Sequence, residues 1–137
     1  MGPSLVRSAM SREECLDLLG SVSMGRLVLS VDCLPVAKPV FVDVVGDAVI
    51  AAVTPGIESE AARRGDVVAI EVDGQVGEGS GTWTVSVTGV ASELAADSCL
   101  RRRLSSSRLL RAAEAGAALL VVSLVMVGGE RTLLGLS

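Results

Sequence analysis

The sequence predicts a mainly β protein: six to seven antiparallel strands with two or three short helices, the sheet closing into a small barrel. Three observations carry this. Residues 82–91 alternate almost perfectly, with Trp83, Val85, Val87, Gly89 and Ala91 on one side and Thr82, Thr84, Ser86 and Thr88 on the other, the pattern of a half-buried strand. Residues 24–31, 36–45 and 48–53 are apolar runs joined by turn-length spacers, which defines an antiparallel meander. The segments of helical composition are few and short, so strand edges must be buried against strands, and closure is the most economical way to do that.

Taken in order, residues 1–10 are expected as a flexible lead, and residues 11–137 as a single domain. Ser11 with Glu14 three residues on is a capping box, and Cys15, Leu18 and Leu19 fall on one helical face that Gly20 stops. Strand 36–45 carries Pro39, which points to an edge or a bulge. After strand 48–53 comes a Pro55-Gly56 turn and a short helix, residues 57–64, ending at Gly65. Residues 66–73 read as a strand and 74–81 as a glycine-rich loop. Residues 92–116 read as a helical segment, 117–127 as a long strand, Gly128-Gly129 as a turn and 131–136 as a terminal strand or tail. Asp43 and Glu71 are read as outward-facing strand residues.

Composition limits the chemistry. With 137 residues, no His, no Tyr, one Phe (Phe41) and one Trp (Trp83), the chain lacks the parts of a Ser-His-Asp or Cys-His engine, a His-ligated haem or a common catalytic zinc site. Cys15, Cys33 and Cys99 are dispersed without a CxxC pair, the pattern of incidental or buried thiols, so no metal is expected. Mean hydropathy is +0.57, yet no apolar run reaches the roughly 18 residues of a membrane span. The first ten residues lack the apolar core of a secretory signal. A cytoplasmic protein without membrane attachment is expected. The formal charge of −4 argues against a nucleic-acid partner. Arg101, Arg102, Arg103, Arg108 and Arg111 spread around more than one helical face without interleaved aromatics, as in a solvated helix or an anion-facing patch.

Several phrases in this order, SREECLDLLGSVSMGRLVLS, LPVAKPVFVDVVGDAVI, AARRGDVVAIEVD and GTWTVSVTGVASEL, resemble the pyridoxamine 5'-phosphate oxidase-like family of FMN-binding split β-barrels. The resemblance runs from about Ser11 to Leu94. It implies a split β-barrel, a homodimer, and a cofactor cleft between the subunits. It also implies a phosphate corner at the end of the third strand, with an Arg at the position of Ala52, a Thr at Val53, a Ser at Ile57 and a Lys at Glu58. Of that corner this chain keeps only Pro55 and Gly56. Lys38 stands where the family commonly has an Arg, and Trp83 matches a cleft Trp.

The candidate ligand-binding residues are therefore Lys38, Val40, Ala52, Val53, Thr54, Glu58, Arg63 and Trp83. No catalytic residue stands out. A phosphate monoester is nearly dianionic, and Glu58 in place of a cation turns attraction into repulsion. The expectation is a repurposed cleft for an apolar small molecule without tightly held FMN, either a binding protein or a cofactor-independent enzyme such as a cyclase, which would work by holding reacting ends together. The alternative is an FMN- or deazaflavin-dependent oxidoreductase, with the arginines after Cys99 rebuilding the phosphate site.

Overall fold

The computed structural model describes residues 2–77, 79–104 and 107–136. Among these the strands are β1 (Pro3–Ala9), β2 (Met24–Val31), β3 (Leu34–Val45), β4 (Ala48–Val53), β5 (Val67–Val76), β6 (Gly81–Val90), β7 (Ser92–Glu93), β8 (Ala118–Ser123) and β9 (Met126–Leu136). The helices are α1 (Arg12–Gly20), α2 (Ile57–Arg64), α3 (Cys99–Arg103) and α4 (Ser107–Glu114). None of the helices among the described residues is long and apolar enough to cross a membrane.

The architecture corrects the expected barrel. It is a mixed α/β fold around one antiparallel sheet of nine strands in the order β1-β9-β6-β5-β2-β3-β4-β8-β7, which is not closed by pairing of its end strands. Sheet edges need not be eliminated by closure. Here they are blunted instead: β7 is two residues long, and β1 is exposed throughout, beginning with Pro3 and carrying Arg7. The sheet nevertheless curls, bringing β6 close to β8, which is not its neighbour in the strand order: a Cβ on Gly89 would lie 3.1 Å from the Val122 side chain.

Three local readings also change. Residues 3–9, expected in a flexible lead, pair along their length with β9, from Pro3 opposite Leu136 to Ala9 opposite Glu130. The helical segment expected over 92–116 is divided into β7, α3 and α4. The long strand expected over 117–127 ends at Ser123, and Gly128 and Gly129 lie inside β9 rather than in a turn. The reason is packing. A Cβ on Gly129 would come within 2.6 Å of the Thr84 carbonyl oxygen, 2.8 Å of Met10 and 2.9 Å of Cys15, so glycine here permits close approach.

Other elements form as their residues dictate. Ser11 Oγ accepts from the Glu14 amide at 3.2 Å, and the Glu14 carboxylate accepts from the Ser11 amide at 3.4 Å, completing the capping box. In β6, Trp83, Val85 and Val87 are buried as their alternation requires. Every residue of β4 is buried, because the sheet carries apolar cover on both faces there. Val49, Ala51 and Val53 join the main core with Cys15, Leu19, Leu27 and Ile70, while Ile50 and Ala52 join a second core with Leu104, Leu109 and Leu119. Asp43, expected to face solvent, is half-buried. Its Oδ1 accepts from the Val44 amide at 2.9 Å, and Oδ2 is buried without a hydrogen-bond partner.

Candidate functional site

The site begins where β4 leaves β3. Phe41 to Val45 pair with Ala52 to Ala48, whereas residues 34–40 of β3 pair only with β2. Pro35 and Pro39 lie in that second half. Proline has no N–H to donate, so β4 cannot continue its ladder beside Pro39, and the chain turns away through Thr54, Pro55 and Gly56. Gly56 has φ +140°, a conformation that side chains other than hydrogen rarely permit. It leads into α2, where the Ser59 hydroxyl accepts from the Gly56 amide at 2.9 Å and donates to the Gly56 carbonyl at 3.1 Å.

The divergence leaves two adjoining hollows that share Pro39, Val40, Ala52, Val53, Thr54 and Pro55. The first, about 470 Å³, is completed by Met24 and Phe41 on one side and by Ala112, Ala115, Gly116 and Ala117 at the end of α4 on the other. Among the described residues Thr54 supplies the one polar side chain in this lining. The second, about 480 Å³, is completed by Lys38, Gly56, Ile57 and Glu58. Volumes of this size suit a small organic molecule. Arg108 braces the first hollow from α4: its guanidinium lies 5.8 Å from the Phe41 ring centroid and donates to Ser23 Oγ at 2.7 Å.

Six of the eight residues singled out in the sequence, Lys38, Val40, Ala52, Val53, Thr54 and Glu58, border the second hollow. Arg63 and Trp83 border neither hollow. Arg63 turns back along α2, with Nη2 donating to Ser59 Oγ at 3.2 Å and Nε to the Ser59 carbonyl at 3.5 Å. Trp83 packs over Gly74 on β5, where a Cβ would approach the indole to 2.7 Å, and belongs to the main core. Val40, Ala52 and Val53 are buried, Lys38 and Thr54 exposed, and Glu58 is 8% exposed.

The arginines after Cys99 do not converge on the corner. Arg101 and Arg103 border other hollows, Arg103 lying over the Gly46 turn, and Arg102 donates to the Asp97 carbonyl at 3.2 Å. No three metal-ligating side chains gather among the described residues. Met24, Phe41, Ser59 and the Ala112–Ala117 wall were missed in the sequence. The Ala-rich run at 112–117 was a signal, since small residues at the end of a helix leave space beside it.

The pattern of the pyridoxamine 5'-phosphate oxidase family matches residues 11–124. The chain belongs to that family. Among solved structures, this family member is similar to an FAD-binding protein from Mesorhizobium loti, with 25% identity, a TM-score of 0.79, and coverage of 94% of this chain and 98% of that one. It is similar as well to an FAD-binding protein from Mycobacterium smegmatis, with 25% identity, a TM-score of 0.65, and coverage of 92% and 98%. An FAD- and haem-binding protein from Mycobacterium smegmatis shares the fold at 19% identity, with a TM-score of 0.64 and coverage of 90% and 71%. No curated protein matches the chain.

Proposed function

We propose that this family member binds a flat, largely apolar ring compound in the hollow between Phe41 and the end of α4, a flavin ring being the first candidate. The observation that carries the reading is the lining itself: apolar or small residues with one hydroxyl, Thr54, at the rim. Such a surface takes a ring by excluding water, and one hydrogen-bonding group is enough to orient it. The FAD-binding relatives at 25% identity support a flavin over other rings, and with it a redox role. A bound flavin would supply the electron-transfer chemistry. The chain would supply the apolar walls, the Thr54 hydroxyl and the brace of Arg108 on Phe41.

The residues present fit the ring end of such a cofactor and do not fit a phosphate monoester at the α2 corner. The buried Glu58 borders that corner, and exposed Lys38 is the one cation among the described residues in its lining. This mismatch favours a second reading, a flavin-free cleft for a flexible apolar substrate, as a binding protein or a cofactor-independent enzyme of the cyclase type. Either reading is proposed for a cytoplasmic homodimer. Met24 at 52%, Phe41 at 36% and Ile57 at 43% exposure form an apolar rim that a second subunit would cover.

The visible spectrum of purified protein, followed by titration of riboflavin, FMN, FAD and a deazaflavin, tests the reading. Saturable quenching of flavin fluorescence is expected, and Ala115→Leu, which narrows the hollow, should weaken it. Absence of uptake for every flavin would turn the assignment to the second reading. A monomeric mass in solution would remove the subunit-closed cleft.

A further inference from the structure

The second hollow adjoins the first and has a carboxylate in its lining. Glu58 lies in the first turn of α2, is 8% exposed and borders this hollow. Its carboxylate takes part in no hydrogen bond or ion pair among the described residues. Among the described residues the buried side-chain oxygen without a partner is Asp43 Oδ2, so the Glu58 oxygens are not sealed inside protein. The helix dipole explains why a carboxylate is tolerated in a first turn. It does not explain a glutamate that is nine-tenths buried as a residue while its carboxylate borders a cavity, since the same dipole is served by exposed Glu60.

The neighbouring arginines are committed elsewhere. Arg63 is tied to Ser59, Arg64 to Asp66 at 2.8 Å and Glu60 at 3.8 Å, and Arg108 to Ser23 and Phe41. Lys38, exposed on β3, borders the hollow without an ion pair to Glu58. A buried charge needs a partner or an ionic group from a ligand, and a like charge brought to it is repelled.

We propose that Glu58 makes the α2 corner selective for a ligand whose polar end is an uncharged hydrogen-bond donor or a cation, and that it rejects a phosphate monoester. The proposal rests on the ring-binding reading only for the identity of the ligand's other end. For a flavin, it means that the form without phosphate is preferred to FMN. Glu58 acts here as a specificity determinant; no chemical step is assigned to it.

The test uses the full chain with three probes: riboflavin and FMN followed by fluorescence quenching, and inorganic phosphate followed by thermal unfolding. Wild type should bind riboflavin more tightly than FMN by about tenfold or more, the size expected for bringing like charges together. Glu58→Gln should narrow that ratio, and Glu58→Lys should reverse it. Independently of any flavin, Glu58→Lys should gain a phosphate-dependent rise in Tm that wild type lacks. Equal riboflavin and FMN affinity in wild type, phosphate stabilisation of wild type equal to that of Glu58→Lys, or no phosphate gain in a folded Glu58→Lys would each overturn the proposal. Should Glu58→Lys not fold, an unchanged ratio in Glu58→Gln overturns it. If no flavin binds any variant while phosphate stabilises Glu58→Lys alone, Glu58 keeps its role and the flavin-ring reading falls.

Discussion

Arg108 and Phe41 join two distant parts of the chain: the guanidinium on α4 sits 5.8 Å from the centroid of the aromatic ring on β3. The same guanidinium reaches Ser23 Oγ, just ahead of β2. One side chain therefore bridges α4 and the β2–β3 pair, the two walls of the apolar hollow.

Arg108→Ala should break that bridge. An exposed cation–π contact contributes about 0.5–1 kcal/mol, and an exposed hydrogen bond contributes a similar amount. A fall in denaturation midpoint equivalent to roughly 1 kcal/mol is expected, together with weaker ring uptake. Arg108→Lys should recover only part of it, because an ammonium lacks the planar stacking surface. Unchanged stability and uptake in Arg108→Ala would show that the wall stands without this brace.

Ser59→Ala removes the hydroxyl that holds both backbone groups of Gly56 and receives Arg63. Loss of such a cap costs about 1 kcal/mol, measurable as a shift in urea midpoint with unchanged m. Arg63, released, gains freedom to swing toward the α2 corner. Glu58→Lys combined with Ser59→Ala should therefore bind phosphate at least as well as Glu58→Lys alone.

Gly74→Ala places a Cβ within 2.7 Å of the Trp83 indole. Overpacking of this kind costs roughly 1–3 kcal/mol. Since Trp83 is the sole tryptophan, its emission should shift or broaden as the ring is displaced. An unaltered spectrum with unaltered stability would contradict the close approach.

Glu14 predicts an acid dependence. Its hydrogen bond to Arg131, with Nη2 2.7 Å from the carboxylate, holds its pKa below the usual carboxylate range, helped by the Ser11 amide. A depressed folded pKa gives stability that is present above the unfolded value, about 4.3 for Glu, and is lost as pH falls through the folded value. The Tm advantage of wild type over Glu14→Gln should thus be greatest near neutrality and shrink in acid. A gap that stays constant into strong acid would show that the pair with Arg131 contributes nothing.

Most strands and the start of each of the first two helices were legible in the sequence because their signals are local. The Ser11–Glu14 box, the alternation of residues 82–91 and the stop at Gly65 each need only a few neighbouring residues. Gly128 and Gly129 misled for the same reason: a glycine pair looks like a turn until Thr84, Met10 and Cys15 are seen to crowd Gly129. Trp83 carried two readings, core from its place in the alternation and cleft from family likeness, and it packs in the main core against Gly74.

By itself the sequence determined the alternating strands and the β4 corner with its Pro55-Gly56 turn. Those follow from residue type and spacing. Only the tertiary structure decided that the sheet has nine strands and stays open, and that the ladder ends beside Pro39. It also brings Met24, Phe41 and the Ala112–Ala117 wall around one hollow. Pairing order and cavity walls depend on contacts between residues far apart in the chain, where the free energy lies in shared burial rather than in any local pattern.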